Sequence, residues 1–162
     1  MAKVTKPKAT PALPIRPMLP DEDKQVRELY RLCHPKWPER PPQFYFAYPT
    51  LVAVDGDRIA GSTSFSCSFP TTPAIGTAST IMYGHDVCVH PDYRGTGLGM
   101  ALAEARLAIA RDVRAELFLG FTWDENDGMR RIFEKQGMHV HTTIPNLHPG
   151  GVPGLLYVGE VK

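Results

Sequence analysis

Residues 87–99 read Val87-Cys88-Val89-His90-Pro91-Asp92-Tyr93-Arg94-Gly95-Thr96-Gly97-Leu98-Gly99, and their order decides the fold. Apolar residues at 87 and 89 end a strand that His90-Pro91 closes. Glycines at 95, 97 and 99 then form a turn. Leu98, Leu102, Ala105 and Ile109 recur at intervals of four, three and four, which predicts one face of a helix from about Gly97 to Arg114. Glycines let backbone N–H groups converge on one point and let a ligand approach the chain. The helix N-terminus adds roughly half a positive charge at the same place. A strand, a glycine turn and a helix start in this order make a pyrophosphate site.

Other uses of such a turn fit less well. A Walker loop needs Gly-Lys-Ser/Thr, which does not follow here. A dinucleotide fingerprint needs G-x-G-x-x-G, and the third glycine falls one residue short; the chain also lacks the length for a second nucleotide-binding half. A plain helix cap with flexible glycines is the bland alternative. The pattern Arg94-x-x-Gly97-x-Gly99, preceded by Val87-x-Val89-x-Pro91, resembles the acyl-CoA-binding motif of the GNAT superfamily. A second segment, Asn126 to Met138, is similar to that family's later N-x-x-A-x-x-x-Y-x-K-x-G-F run, matching at Asn126, Lys135 and Gly137. Together these segments and the strand before them cover residues 81–138.

The resemblance implies a GNAT-type α/β domain, with a mixed, mostly antiparallel sheet flanked by helices, and acetyl-CoA as co-substrate. Backbone amides from Arg94 through Gly95, Thr96, Gly97 and Leu98 to Gly99 would hold the pyrophosphate. Val87, Cys88 and Val89 would pair with the pantetheine arm like an added strand, and the Val87 amide would receive the thioester oxygen. Asn126 and Phe133 would complete the donor side. The family commonly has a tyrosine at the position of Phe133, where it protonates the leaving thiolate, and phenylalanine cannot do so. The implied activity is acetyl transfer to a primary amine, small-molecule or protein-borne. The alternative is an acyl-CoA-binding module of the same fold without catalysis. Homodimers are common in the family.

Residues 1–14 form a Lys-, Ala- and Pro-rich tail expected to be flexible, and residues 15–162 are expected to form one domain. Ile15–Met18 reads as a first strand and Asp21–His34 as a helix whose early carboxylates suit its N-terminus. Residues 35–49 carry five prolines and five aromatics, which excludes a long helix. Leu51–Val54, the Asp55-Gly56 turn and Arg58–Cys67 predict a hairpin. Ile81–Val89 predicts a strand, as do Leu117–Thr122, Met138–Thr143 and Leu155–Val161. Asn126–Lys135 reads as a helix closed by Gly137, and residues 145–154 as a loop. The order is β-α-loop-β-β-β-α-β-α-β-β.

An amine must lose a proton to attack a thioester, so a base belongs beside Val87. Strict alternation along the strand puts Tyr83, His85, Val87 and Val89 on one face, and Gly84, Asp86 and Cys88 on the other. His85 is therefore the candidate base, imidazole being suited to neutral pH. A hydrogen-bonded structural histidine is its bland alternative, and Asp86 is the reserve. Asp124 and Glu125 read as solvated groups near the cleft. Trp37, Phe44, Tyr45, Phe46 and Tyr48 lie where the family builds its acceptor wall, with core packing as the competing role.

Composition removes several classes. A formal charge of +1 does not suit a nucleic-acid binder that works through phosphate contacts. Cys33, Cys67 and Cys88 show no CxxC spacing and an odd count, which points to reduced thiols in a cytoplasmic protein. No metal site is expected, since His139 and His141 lack a third ligand. No apolar run reaches membrane-spanning length.

Overall fold

The computed structural model describes residues 12–35, 48–68, 80–148 and 151–162. The predicted tail up to residue 11 lies outside them, as do Trp37, Phe44, Tyr45 and Phe46. Seven strands form one sheet: β1 (Ile15–Pro17), β2 (Thr50–Asp55), β3 (Arg58–Ser68), β4 (Ile81–Val89), β5 (Leu117–Trp123), β6 (His139–His148) and β7 (Val152–Glu160). Their order is β1-β2-β3-β4-β5-β7-β6. Neighbours run antiparallel except β4 and β5, which are parallel. Among the described residues three α-helices, α1 (Asp23–Cys33), α2 (Leu98–Asp112) and α3 (Asp127–Lys135), cover the sheet. No described helix is long and apolar enough to cross a membrane.

The β2–β3 hairpin turns at Gly56, whose φ of 58° is cheap only for glycine. Before α1, Pro20–Glu22 form a 3-10 turn, so the α-helix starts two residues later than its carboxylates predict. The Glu22 carboxylate explains the delay. It accepts from the Leu19 N–H at 2.7 Å and from both terminal nitrogens of Arg16, pinning the helix entry to β1. Val26, Leu29 and Tyr30 of α1 then pack on Val52, Ile59 and Cys88. The opposite face of the sheet carries α2 and α3. There Leu98 and Leu102 meet Ala53 and Ala60, while Leu107, Ala110 and Phe133 meet Met82, Phe118 and Tyr157.

Two expectations need correction. The buried stripe of α2 runs through Leu98, Leu102, Arg106 and Ala110, joined by Ala103 and Leu107, whereas Ala105 and Ile109 are only half-buried. The apolar periodicity was displaced because a charged residue sits in the middle of the true stripe. The loop expected at 145–154 is largely strand, β6 running to His148 and β7 starting at Val152. Pro145 is tolerated because β6 is an edge strand, and the register shift between Ile144 and His148 absorbs the distortion, with Asn146 at φ 55°.

Candidate active site

Strands β4 and β5 are paired only from Ile81–Gly84 against Leu117–Gly120. Beyond that last rung they separate. The two glycines mark the point of separation for a steric reason. A Cβ on Gly84 would come within 2.6 Å of Arg106 Nη1, and one on Gly120 within 2.6 Å of Phe133 Cε1. Bare backbone at these sites lets a guanidinium and an aromatic ring lie against the sheet from the α2–α3 side. The gap above holds a cavity of about 290 Å³ between Gly84–Val87 of β4 and Phe121–Trp123 of β5, with Arg106 and Phe133 in its floor and His34 in its wall.

The register of β4 breaks inside this cleft. Ser64 pairs with Asp86 but Phe65 pairs with Gly84, so His85 is an extra residue in a β-bulge. A one-residue insertion changes which side chains share a face. Met82 and Gly84 face α2, and so do Val87 and Val89, which pack beside Leu98 and Leu102. The expectation that His85 and Tyr83 share the face of Val87 is therefore wrong. His85 lies on the α1 side, where its Nε2 is 2.9 Å from Ser66 Oγ and its ring centroid 4.2 Å from that of Tyr48. Asp86 lies on the same side, with Ser64 Oγ donating to its carboxylate at 3.4 Å. Both residues still line the cleft because the cleft opens between the strands.

Next to it, a second cavity of about 300 Å³ is lined by Val87, Val89, Arg94 and Gly99, with Cys33 and residues of α3 opposite. The two cavities share Val87, Asn126 and Met129. The glycine turn borders this second space. Gly95 and Gly97 have φ of 77° and 91°, with nothing within 4 Å of where a Cβ would stand. Thr96 Oγ1 donates to the Tyr93 carbonyl at 2.7 Å, Arg94 Nε to that of Val89 at 3.3 Å, and Tyr93 Oη to Asp55 at 2.6 Å. These bonds fix the turn on the β2–β3 hairpin and aim the start of α2, with its uncapped N–H groups, at the cavity. Leu98 contributes backbone only, since its side chain is in the core. The Cys88 side chain faces α1, its Sγ 3.6 Å from His34 Nε2.

On α3, Asn126 caps the helix by accepting from the Met129 N–H at 3.2 Å and lines both cavities. Phe133 is 1% exposed, its ring centroid 4.8 Å from that of Tyr157. Asp124 is exposed and pairs with Arg130 at 3.0 Å. His139 and His141 are exposed, and among the described residues no group of three His, Cys, Asp or Glu side chains could hold a metal. Sequence reasoning missed Arg106, His34 and Trp123 in the cleft, and Cys33 in the second cavity. The Cys33 thiol donates to the Val89 carbonyl at 3.5 Å, and Cys88, with Arg94, lowers its pKa to about 7. The available signal was that two of the three cysteines sit beside elements already assigned to the site.

The model of the acetyltransferase (GNAT) family matches residues 23–138. No curated protein matches the chain. Among solved structures, Arabidopsis thaliana NAA60 in complex with a bisubstrate analogue superposes with TM-score 0.80 at 14% identity, covering 93% of this chain and 99% of its own. A chain of the NatC complex bound to Gag peptide and CoA gives TM-score 0.79 at 14% identity, with 93% and 99% covered. The Salmonella typhimurium protein yncA, solved with acetyl-CoA, gives 0.73 at 18%, with 93% and 95% covered. At these identities the likeness is one of fold.

Proposed function

The chain belongs to the GNAT acetyltransferase family, and we propose that it transfers the acetyl group of acetyl-CoA to a primary amine in the cleft between β4 and β5. The observation that carries this reading is the meeting of two cavities at Val87, one beneath the glycine turn and one open to acceptor. The backbone of residues 94–99 and the N-terminus of α2 hold the pyrophosphate, and no acidic side chain stands in the first turn of α2 to repel it. The outer edge of β4 past Gly84 has no described strand beside it, which leaves it for the pantetheine arm. The thioester carbonyl then comes to the Val87 N–H.

His85 approaches from the other face of β4. The incoming ammonium loses one proton to the His85 imidazole, which returns it to solvent; the neutral nitrogen then bonds to the carbonyl carbon, the carbon–sulfur bond breaks, and the nitrogen's second surplus proton passes to water. The CoA thiolate leaves and takes its proton from water, because Phe133 has none to give. A positioned base is worth roughly 10²- to 10⁴-fold in rate. His85→Gln should lower kcat/KM by that order, leave the acetyl-CoA Kd nearly unchanged, and flatten the rise of activity with pH. Thiol release measured over a panel of small amines and peptide N-termini tests the activity. Near-normal activity of His85→Gln with an unchanged pH profile makes His85 structural.

Phe133 favours a second reading, an acyl-CoA-binding domain that transfers nothing. Saturable acetyl-CoA binding without thiol release on any acceptor, combined with activity gained by Phe133→Tyr, would establish it.

A further inference from the structure

Arg106 is 1% exposed, in the middle of the apolar stripe of α2. An interior guanidinium is costly, and a hydrophobic residue of similar volume would usually serve packing as well or better. Its Nε and Nη2 are buried without a hydrogen-bond partner among the described residues, so self-satisfaction of the side chain is not what holds it there. Its one bonded nitrogen, Nη1, reaches both Thr63 and the Asp86 carbonyl. Arg106 Nη1 donates to Thr63 Oγ1 at 3.2 Å, Thr63 Oγ1 donates to the Asp86 carbonyl at 2.6 Å, and the same Nη1 lies 3.4 Å from that carbonyl. Thr63 is itself 1% exposed. Gly84, by lacking a Cβ, admits the guanidinium to this position. Burial draws the Arg106 pKa down to about 10 while Asp86 opposes the fall, so the group keeps its charge at neutral pH.

The carbonyl they share belongs to the Asp86–Val87 peptide. In a trans peptide the C=O and N–H point in opposite directions, and the described chain has no cis bonds. The carbonyl is turned toward Thr63 on β3. The Val87 N–H is therefore turned away from β3, toward the edge where β5 has separated and the cleft lies. Hydrogen bonds in series polarise one another, and most strongly where water is excluded.

We propose that Arg106 and Thr63 are positioning residues that polarise the Asp86–Val87 amide, strengthening its N–H as the donor to the thioester oxygen. The inference rests on the reading that acetyl-CoA places its carbonyl at Val87. A neutral donor would thus act with part of the strength of a charged one. Removing an oxyanion donor outright typically costs about 10²- to 10³-fold in kcat. Removing only its polarisation, on the order of 10–30% of the bond, corresponds to a loss of roughly two- to tenfold.

The test is the infrared carbonyl stretch of acetyl-CoA, 13C-labelled at the thioester carbonyl, bound to wild-type protein and to Thr63→Val, Arg106→Met and Arg106→Lys. Binding should lower the stretching frequency in wild type. Thr63→Val and Arg106→Met should lose about 10–30% of that shift, with the acetyl-CoA Kd changed less than about twofold, and Arg106→Lys should recover some of it. A two-dimensional amide spectrum checks the fold, and the near-isosteric Thr63→Val decides the matter if Arg106→Met does not fold. The same shift in wild type and Thr63→Val, or no shift in bound wild type, overturns the proposal while leaving the donor site standing. Absence of acetyl-CoA binding to wild type overturns the donor-site reading and this proposal with it.

Discussion

Gly84 and Gly120 face each other across the last rung of β4 and β5, and each is occupied from below by a large side chain. Neither glycine is needed for a left-handed turn; each is needed for space. Gly120→Ala should cost about 1–3 kcal/mol by urea denaturation, because the Phe133 ring is wedged between Gly120 and Tyr157 and has little freedom to give way. A neutral result would mean that Phe133 can move aside. Cys33 provides a second residue-scale probe. Cys88 and Arg94 bring its pKa to about 7, so alkylation by iodoacetamide should accelerate through that pH, about two units below an ordinary thiol. Cys33 lines the cavity assigned to the donor, so saturating acetyl-CoA should slow the alkylation severalfold. Peptide mapping separates Cys33 from Cys67, whose pKa burial raises.

At the scale of elements, the entry to α1 depends on a single carboxylate. Arg16 and the Leu19 N–H hold the pKa of Glu22 below the ordinary carboxylate value. A lowered pKa contributes stability that is present above the unfolded-state value and lost as pH falls through the folded one. Glu22→Gln should therefore destabilise the protein at neutral pH, by about 1 kcal/mol, since the Glu22 carboxylate is buried but its Arg16 partner is open to solvent. The deficit should shrink as wild-type Glu22 protonates, and thermal unfolding from pH 7 down to pH 3 measures it. A deficit constant over that range would remove the ion pair from the account. At α3, Asn126→Ala should cost about 1 kcal/mol through the lost cap. Most strands and helices were legible because each shows its own periodicity and turn chemistry: Asp55-Gly56 for the hairpin, glycines 95 and 97 for the start of α2. Of the features that were not, two bear on the site. The bulge at His85 leaves no mark in local sequence, since it exists only as a mismatch between β3 and β4, and it reversed the face assigned to the candidate base. Arg106 was invisible for the opposite reason, because a charge within an apolar stripe diverts the reading to the neighbouring positions Ala105 and Ile109.

At the scale of the molecule, one parallel pairing in an otherwise antiparallel sheet produces the site. Its early separation opens a cleft through the sheet, with α1 on one side and α2 and α3 on the other, and on the proposed reading donor and acceptor reach Val87 by different routes. The motif that carries the proposed donor route is contiguous in sequence, which is why it could be read there. The proposed acceptor side was less legible, because its lining residues His34, His85 and Trp123 come from three distant elements. The central claim, that the glycine turn holds acetyl-CoA, is tested most directly by calorimetric titration of acetyl-CoA into wild type and Gly97→Asp. Aspartate tolerates a positive φ better than most residues, and nothing within 4 Å of Gly97 obstructs its side chain, so the variant should fold. Its carboxylate stands where the phosphates are to lie. The account predicts saturable one-to-one binding to wild type and its loss in Gly97→Asp; equal binding to both proteins, or none to wild type, contradicts it.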